Sequence, residues 1–107
     1  MALARDIYKL TESFPRSELF GLTSQIRRAA VSVPSNIAEG RGRLTHKSFV
    51  VFLSQARESL YELETQIELA RDLGFTAGNQ AHAVIAEAGE ISRMLHGLMA
   101  RMRQGDI

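Results

Sequence analysis

Apolar residues recur along the chain at alternating spacings of three and four positions, the period of an amphipathic α-helix. Four such runs follow one another, and each predicts one helix. Their apolar positions are Leu3, Ile7, Leu10 and Phe14; Leu19, Leu22, Ile26, Ala29 or Ala30, Val33 and Ile37; Phe49, Phe52 or Leu53, Ala56, Leu60, Leu63, Ile67, Ala70 and Leu73; and Ala81, Val84, Ala88, Ile91, Leu95, Leu98 and Met102. No alternation of period two extends beyond a few residues, so no strand is predicted.

Residues at the ends of these runs predict where the helices begin and end. Pro15 should end the first helix, because a proline pushes the preceding residue out of the helical conformation. Side chains suited to a helix start are Ser17 with Glu18, Thr45, and Thr76 or Asn79. Glycines suited to a left-handed helix end are Gly40 and Gly74.

Pro34 lies inside the second apolar run. Proline lacks an amide hydrogen and clashes with the carbonyl four residues earlier, so a kink is predicted there. The apolar pattern resumes at Ile37, which favours one bent helix over two short ones. Four helices with short connections predict antiparallel neighbours. The expected fold is therefore all-α, a single antiparallel up-down-up-down four-helix bundle over residues 1–107.

Composition narrows the possible functions. The chain has 107 residues, of which 45% are hydrophobic and 23% charged, as expected of one soluble domain. It has no cysteine, which excludes disulfides, thiolate metal sites and cysteine nucleophiles. No apolar run approaches the roughly 20 residues that span a bilayer. The first residues do not resemble a signal peptide, so a cytoplasmic protein without membrane association is expected.

The charges are unevenly distributed, although the net charge is only +1. Residues 1–50 contain eight basic and four acidic residues, a net charge of +4. Residues 51–107 contain five basic and eight acidic residues, a net charge of −3. Halves of opposite charge allow a molecule to attract copies of itself, or to bind an anion on one side.

The histidines do not indicate an enzyme or a metal site. Di-iron four-helix bundles use Glu-x-x-His pairs. Here the residues three positions before His46, His82 and His96 are Arg43, Asn79 and Arg93. No arrangement of serine, histidine and acid suggests a catalytic triad. We therefore predict a non-enzymatic protein with no metal and no cofactor.

Two basic clusters are the candidate binding residues. Arg41 and Arg43 lie in a glycine-rich segment, and with His46 and Lys47 they could form a phosphate-contacting patch. The alternative is a helix end whose arginines are simply solvated. Because the segment follows a helix and no strand, it does not match a phosphate-loop or dinucleotide fingerprint.

The second cluster is Arg27 and Arg28, on the flank of the second apolar stripe. These residues could form salt bridges with an acidic face expected on the third helix, in the same chain or in a neighbouring copy. That face comprises Glu58, Glu62, Glu64 and Glu68. Contact between different surfaces of two copies is heterologous and closes into a ring when the rotation permits.

The segment from Gly21 to Gly40 reads GLTSQIRRAAVSVPSNIAEG and resembles the signature of a known family. The family comprises four-helix bundle proteins associated with intervening sequences in bacterial 23S ribosomal RNA genes, also called S23. Further matching residues are Phe52-Leu53, Ser59 to Gln66, Leu73-Gly74-Phe75, and Glu90-Ile91 with Met94-Leu95. The resemblance covers essentially the whole chain.

This resemblance implies a four-helix bundle that assembles into a ring-shaped homopentamer. A related group serves as accessory factors to reverse transcriptases in diversity-generating retroelements, where they contact nucleic acid and the polymerase. We therefore expect a homo-oligomer that binds structured RNA or other nucleic acid, with a protein partner as a further option. The expected phosphate contacts are Arg27, Arg28, Arg41, Arg43 and Lys47. The alternative is a structural or protein-interaction scaffold whose arginines serve only subunit interfaces.

Overall fold

A computed structural model describes residues 2–105 and shows four α-helices. They are α1 (Ala2–Thr11), α2 (Leu22–Arg41), α3 (His46–Asp72) and α4 (Gly78–Arg103). A single 3-10 turn, Arg16–Glu18, lies between α1 and α2. No strand occurs among residues 2–105. The predicted all-α, four-helix fold is confirmed.

The core is built mainly from the predicted apolar positions. Every helix contributes side chains that are almost completely buried. The largest of these are Leu3, Ile7, Ile26, Val33, Leu53, Leu60, Leu63, Ile67 and Met99. At the start of α3 the pattern left Phe52 or Leu53 open, and Leu53 is the buried one while Phe52 is half-buried.

Consecutive long helices contact each other as hairpins. Gly40, near the end of α2, faces Phe49 and Phe52 near the start of α3. Farther from the connection, the hydroxyl oxygens of Ser32 and Ser59 lie 2.5 Å apart. The farther a contact lies from the connection, the more residues separate its two partners along the sequence, as in a helical hairpin.

The contacts between α3 and α4 follow the same order. His96, late in α4, meets Arg57 and Tyr61 of α3, whereas Gly89, earlier in α4, lies near Glu64. The shorter α1 packs against both α2 and α4. Helix α2 continues through Pro34 to Arg41. A kink at Pro34 stays a prediction.

Two of the predicted helix ends are confirmed. The Thr45 hydroxyl accepts a hydrogen bond from the Ser48 amide at 3.1 Å and caps α3. Gly74 follows α3 with a φ of 81°, the left-handed conformation that glycine adopts without strain.

Helix α1 ends at Thr11, before Pro15, and the three remaining predicted ends are wrong. Gly40 lies within α2, and the only described glycines with positive φ are Gly74 and Gly105. Helix α2 begins later than predicted, at Leu22, because residues 16–18 form a separate 3-10 turn. The Glu18 carboxylate still serves the start of α2, by accepting a hydrogen bond from the Leu22 amide at 3.2 Å. Helix α4 begins at Gly78, so neither predicted starting residue caps it.

Two residues predicted to face the core, Leu19 and Leu73, are exposed instead. Leu19 follows the 3-10 turn and Leu73 follows the end of α3, so neither keeps its helical register. Met94 lies on the outer side of α4 and is 72% exposed. None of the described helices combines the length and apolar character needed to cross a lipid bilayer.

Candidate nucleic-acid interface

Basic side chains gather where α2 meets α3. The connection between α2 and α3 is only four residues long. The end of α4 lies beside it, as shown by one open groove of about 390 Å³ that is lined by His46, Lys47, Met102 and Arg103. We call this region the basic end. It consists of Arg41, Arg43, His46, Lys47 and Arg103, all of which are exposed.

The basic end carries an excess of positive charge. Four of its residues are arginine or lysine, and the one acid of the adjoining turn of α2 is Glu39, which is also exposed. Among residues 2–105, the one ion pair within 4 Å joins Arg71 and Asp72 at the far end of α3. The cations of the basic end are therefore not neutralised by carboxylates in the described part of the chain.

Arg43 is held in position by an aromatic ring. Its guanidinium carbon lies 4.5 Å from the centroid of the Phe52 ring, a cation–π contact. Phe52 is half-buried because it packs toward Gly40 across the α2–α3 contact. From the sequence, Phe52 was only an alternative to Leu53 on the apolar face of α3, and nothing there pointed to Arg103. The helical period could have marked Phe52 as a flanking position, but only the fold brings Arg103 to this end.

Arg27 lies in a different environment. Its Nε donates a hydrogen bond to the Thr11 hydroxyl at 2.8 Å, and its guanidinium lies 4.6 Å from the Tyr8 ring centroid. A weaker hydrogen bond, at 3.4 Å, runs from its Nη2 to the Tyr8 carbonyl. The side chain thus joins α2 to α1 through two of its nitrogens.

Arg28 is exposed but distant from the basic end. Thirteen residues separate it from Arg41 on the same helix, or about 20 Å at 1.5 Å per residue. The five arginines and lysines predicted from sequence therefore form two groups. The structure brings Arg41, Arg43 and Lys47 together and leaves Arg27 and Arg28 apart from them.

Exposed apolar side chains surround Arg28. Tyr8, Leu19, Phe20 and Val31 line a shallow groove of about 440 Å³ together with Arg27 and Arg28. Phe20 is 93% exposed. We call the four apolar residues and Arg28 the α2 patch. The sequence pattern did not point to Phe20, because the 3-10 turn before it interrupts the helical period.

The acidic face of α3 is smaller than predicted. Glu58, Glu62 and Glu68 are exposed, but Glu64 is half-buried and faces Gly89 of α4. Burial raises the pKa of the Glu64 carboxyl, and the nearby charge of Glu68 raises it further. No salt bridge joins these glutamates to Arg27 or Arg28 within residues 2–105.

The three histidines lie apart from one another. His96 contacts the Arg57 guanidinium through Nδ1 at 3.3 Å and the Tyr61 hydroxyl through Nε2 at 3.0 Å. Because arginine can only donate, Nδ1 is the acceptor and Nε2 carries the hydrogen. His46 lies at the basic end and His82 is exposed on α4. Within the described part of the chain, no three histidine or acidic side chains are grouped to hold a metal ion.

Comparison with known proteins places the chain in a family. A crystal structure of a protein of unknown function from Bacteroides thetaiotaomicron, of the S23 ribosomal protein family, superimposes with a TM-score of 0.79. It is 22% identical over 90% of this chain and 87% of that one, and so shows a shared fold. No curated protein matches the sequence. The family model described as 23S rRNA-intervening sequence protein matches residues 1–97, and the chain therefore belongs to that family.

Proposed function

We propose that this protein is a non-enzymatic homo-oligomer that binds structured RNA or other nucleic acid through the basic end. The observation that carries the proposal is the grouping of Arg41, Arg43, Lys47 and Arg103 at one end, exposed and without carboxylate partners in residues 2–105. Each nucleotide of a nucleic acid carries one negative charge, so a cluster of cations can contact several phosphates together. The ring of five subunits is implied by the family resemblance.

The binding we propose is mainly electrostatic. Arginine and lysine side chains contact phosphate oxygens without reading the bases, so they set position and affinity more than sequence preference. Arginine can contact a phosphate through two parallel hydrogen bonds, whereas lysine acts as a point charge. Arg27 is not part of this site, because its guanidinium is engaged by α1.

A charge-removal experiment tests this proposal. We expect the double variant Arg41→Ala, Arg43→Ala to bind a labelled stem-loop RNA at least about tenfold more weakly, a loss of about 1.4 kcal/mol. Fluorescence anisotropy at low salt measures the affinity. The matched control is Arg16→Ala, Arg71→Ala, which removes two exposed arginines at the opposite end of the molecule. Equal affinities for the two double variants would contradict the proposal.

A structural scaffold is the second candidate, and the α2 patch favours it. Phe20 is almost fully exposed beside Arg28, and buried aromatic residues commonly anchor protein interfaces. The exposed glutamates of α3, with Tyr61, Leu69 and Leu73 also exposed there, offer opposite charge and apolar surface on another copy. In such a contact Arg28 would pair with Glu58, Glu62 or Glu68, and the basic end would be free for a separate role.

A further inference from the structure

We infer that the basic end recognises unpaired nucleotides, with one base stacked on the Arg43 guanidinium that Phe52 holds in place. This inference rests on the proposed function and specifies its substrate class. It predicts a preference for single-stranded segments, such as the loops of a structured RNA, over a continuous duplex.

The pairing of Arg43 with Phe52 supplies the stacking surface. A guanidinium group is flat, and Phe52 covers only one of its two faces, at 4.5 Å. Arg43 is exposed, so the opposite face is open to solvent. Unpaired bases stack on arginine guanidinium planes as well as on aromatic rings. The ring fixes the arginine before any ligand arrives, which lowers the entropy lost on binding.

The fold fixes the position of the ring itself. Gly40 allows α2 to approach α3 so closely that the Cβ atom of Phe52 would lie 3.0 Å from a Cβ atom built at position 40. The aromatic side chain therefore sits against the last turns of α2, next to the loop that carries Arg43. Without this close approach, the arginine and the ring would be held less firmly together.

The surroundings suit a nucleotide chain on either side of the stacked base. Arg41 and Lys47 flank Arg43 along the sequence and can each contact a phosphate. Leu44 is completely exposed at the tip of the loop, where it offers apolar contact to a neighbouring base. Bases inside a duplex are already stacked on each other and present no open face to such a platform. A single strand therefore gains both stacking and phosphate contacts, whereas a duplex gains only the latter.

A comparison of single- and double-stranded RNA tests the inference. The probes are a labelled single strand of about 12 nucleotides, within the range bound by known single-strand binding sites, and its blunt duplex. We expect the wild-type protein to bind the single strand about tenfold more tightly, and Phe52→Leu to lose most of that preference. Binding of the duplex should change less than about twofold, because Phe52→Leu alters no charge.

The chain contains a matched control. Phe75 is half-buried like Phe52, and it contacts Phe14 at the opposite end of the molecule, with the ring centroids 5.8 Å apart. Phe75→Leu should therefore leave both affinities unchanged. If Phe52→Leu lacks the helical circular dichroism of the wild type, Arg43→Lys replaces it, because lysine keeps the charge but offers no flat surface to a base.

The possible outcomes separate this inference from the proposed function. Selective loss of single-strand binding in Phe52→Leu or Arg43→Lys supports the inference. Equal wild-type affinity for the two RNAs, or single-strand binding that withstands both substitutions, overturns it and leaves the proposed function intact. Failure of the wild type to bind either RNA at low salt overturns both.

Discussion

Gly40 shows how one residue determines the geometry of the basic end. It lies inside α2, where glycine is unfavourable by about 1 kcal/mol relative to alanine. A Cβ atom there would lie 2.6 Å from the Phe49 ring and 3.0 Å from the Cβ atom of Phe52. The Phe49 ring can rotate, but the Phe52 Cβ is fixed to the backbone, so α2 and α3 would have to separate. The residue is needed for close packing of helices, not for a left-handed turn.

Gly40→Ala should therefore destabilise the protein. Overpacking costs about 1–3 kcal/mol, and the gain in helix propensity offsets up to about 1 kcal/mol of it. We expect a net decrease of up to about 2 kcal/mol in the free energy of unfolding, measured in urea. Gly97→Ala is the control, because a Cβ atom there meets nothing within 4 Å and should stabilise α4 by up to about 1 kcal/mol. Equal effects of the two substitutions would refute this role for Gly40.

Single residues are also where sequence reasoning was least successful. Met94 has an apolar side chain of the kind found in cores, but its position in the register of α4 directs it outward. Arg27 and Arg28 are adjacent and chemically identical, but a helix turns about 100° per residue, so only Arg27 reaches α1. The sequence shows which residue types are present. The side of a neighbouring helix that each one meets depends on tertiary packing.

At the scale of helices, α1 is the shortest and contributes the fewest buried side chains. Leu3, Ile7 and Thr11 are buried, and the Thr11 hydroxyl also accepts the hydrogen bond from Arg27. Against α4, however, Asp6 of α1 faces Glu87. Burial raises the pKa of the Glu87 carboxyl, and the hydrogen bond with Asp6 and the charges of Asp6 and Glu90 raise it further. The contact between α1 and α4 is therefore weakened when both carboxyls are ionised.

The sign of the pH dependence follows from linkage. Because the folded-state pKa of Glu87 is above the unfolded value, the folded chain holds the proton more tightly. The contribution of Glu87 to the free energy of unfolding should therefore rise as the pH falls from neutral toward 4.5, the ordinary pKa of this carboxyl. Glu87→Gln should raise the melting temperature at pH 7 and flatten this dependence. Exposed Glu12→Gln is the control, and a melting temperature that falls in Glu87→Gln would contradict the assignment.

The number and type of the helices could be read from sequence because apolar spacing directly encodes a buried face. The end of α3 could also be predicted, since Gly74 provides the left-handed residue that local geometry requires. The structure of the region between α1 and α2 could not be predicted. Its 3-10 turn has no distinctive period, and the exposed positions of Leu19 and Phe20 follow from that turn.

On the scale of the whole molecule, the basic end and the α2 patch are two exposed surfaces, separated by most of the length of α2. This separation allows one surface to bind an anion while the other contacts a second copy of the chain. The acidic face of α3 is the complementary surface that the chain itself offers.

Reversing one charge tests the contact between copies. Arg28→Glu should lower the assembly mass measured by sedimentation velocity, because it would place like charges against the glutamates of the neighbouring subunit. Adding Glu62→Arg should restore part of the mass. Arg5→Glu, an exposed change on α1, is the control for net charge. An unchanged mass in Arg28→Glu would refute this interface.

The most direct test of the central claim is the salt dependence of RNA binding by the wild-type protein. Anisotropy titrations with a labelled stem-loop RNA across a salt series give the slope of log affinity against log salt. If three or four cations of the basic end contact phosphates, the slope should be about −2 to −4, since each contact contributes about −0.7 to −0.9. No binding at low salt, or binding that does not weaken as salt increases, would contradict the account.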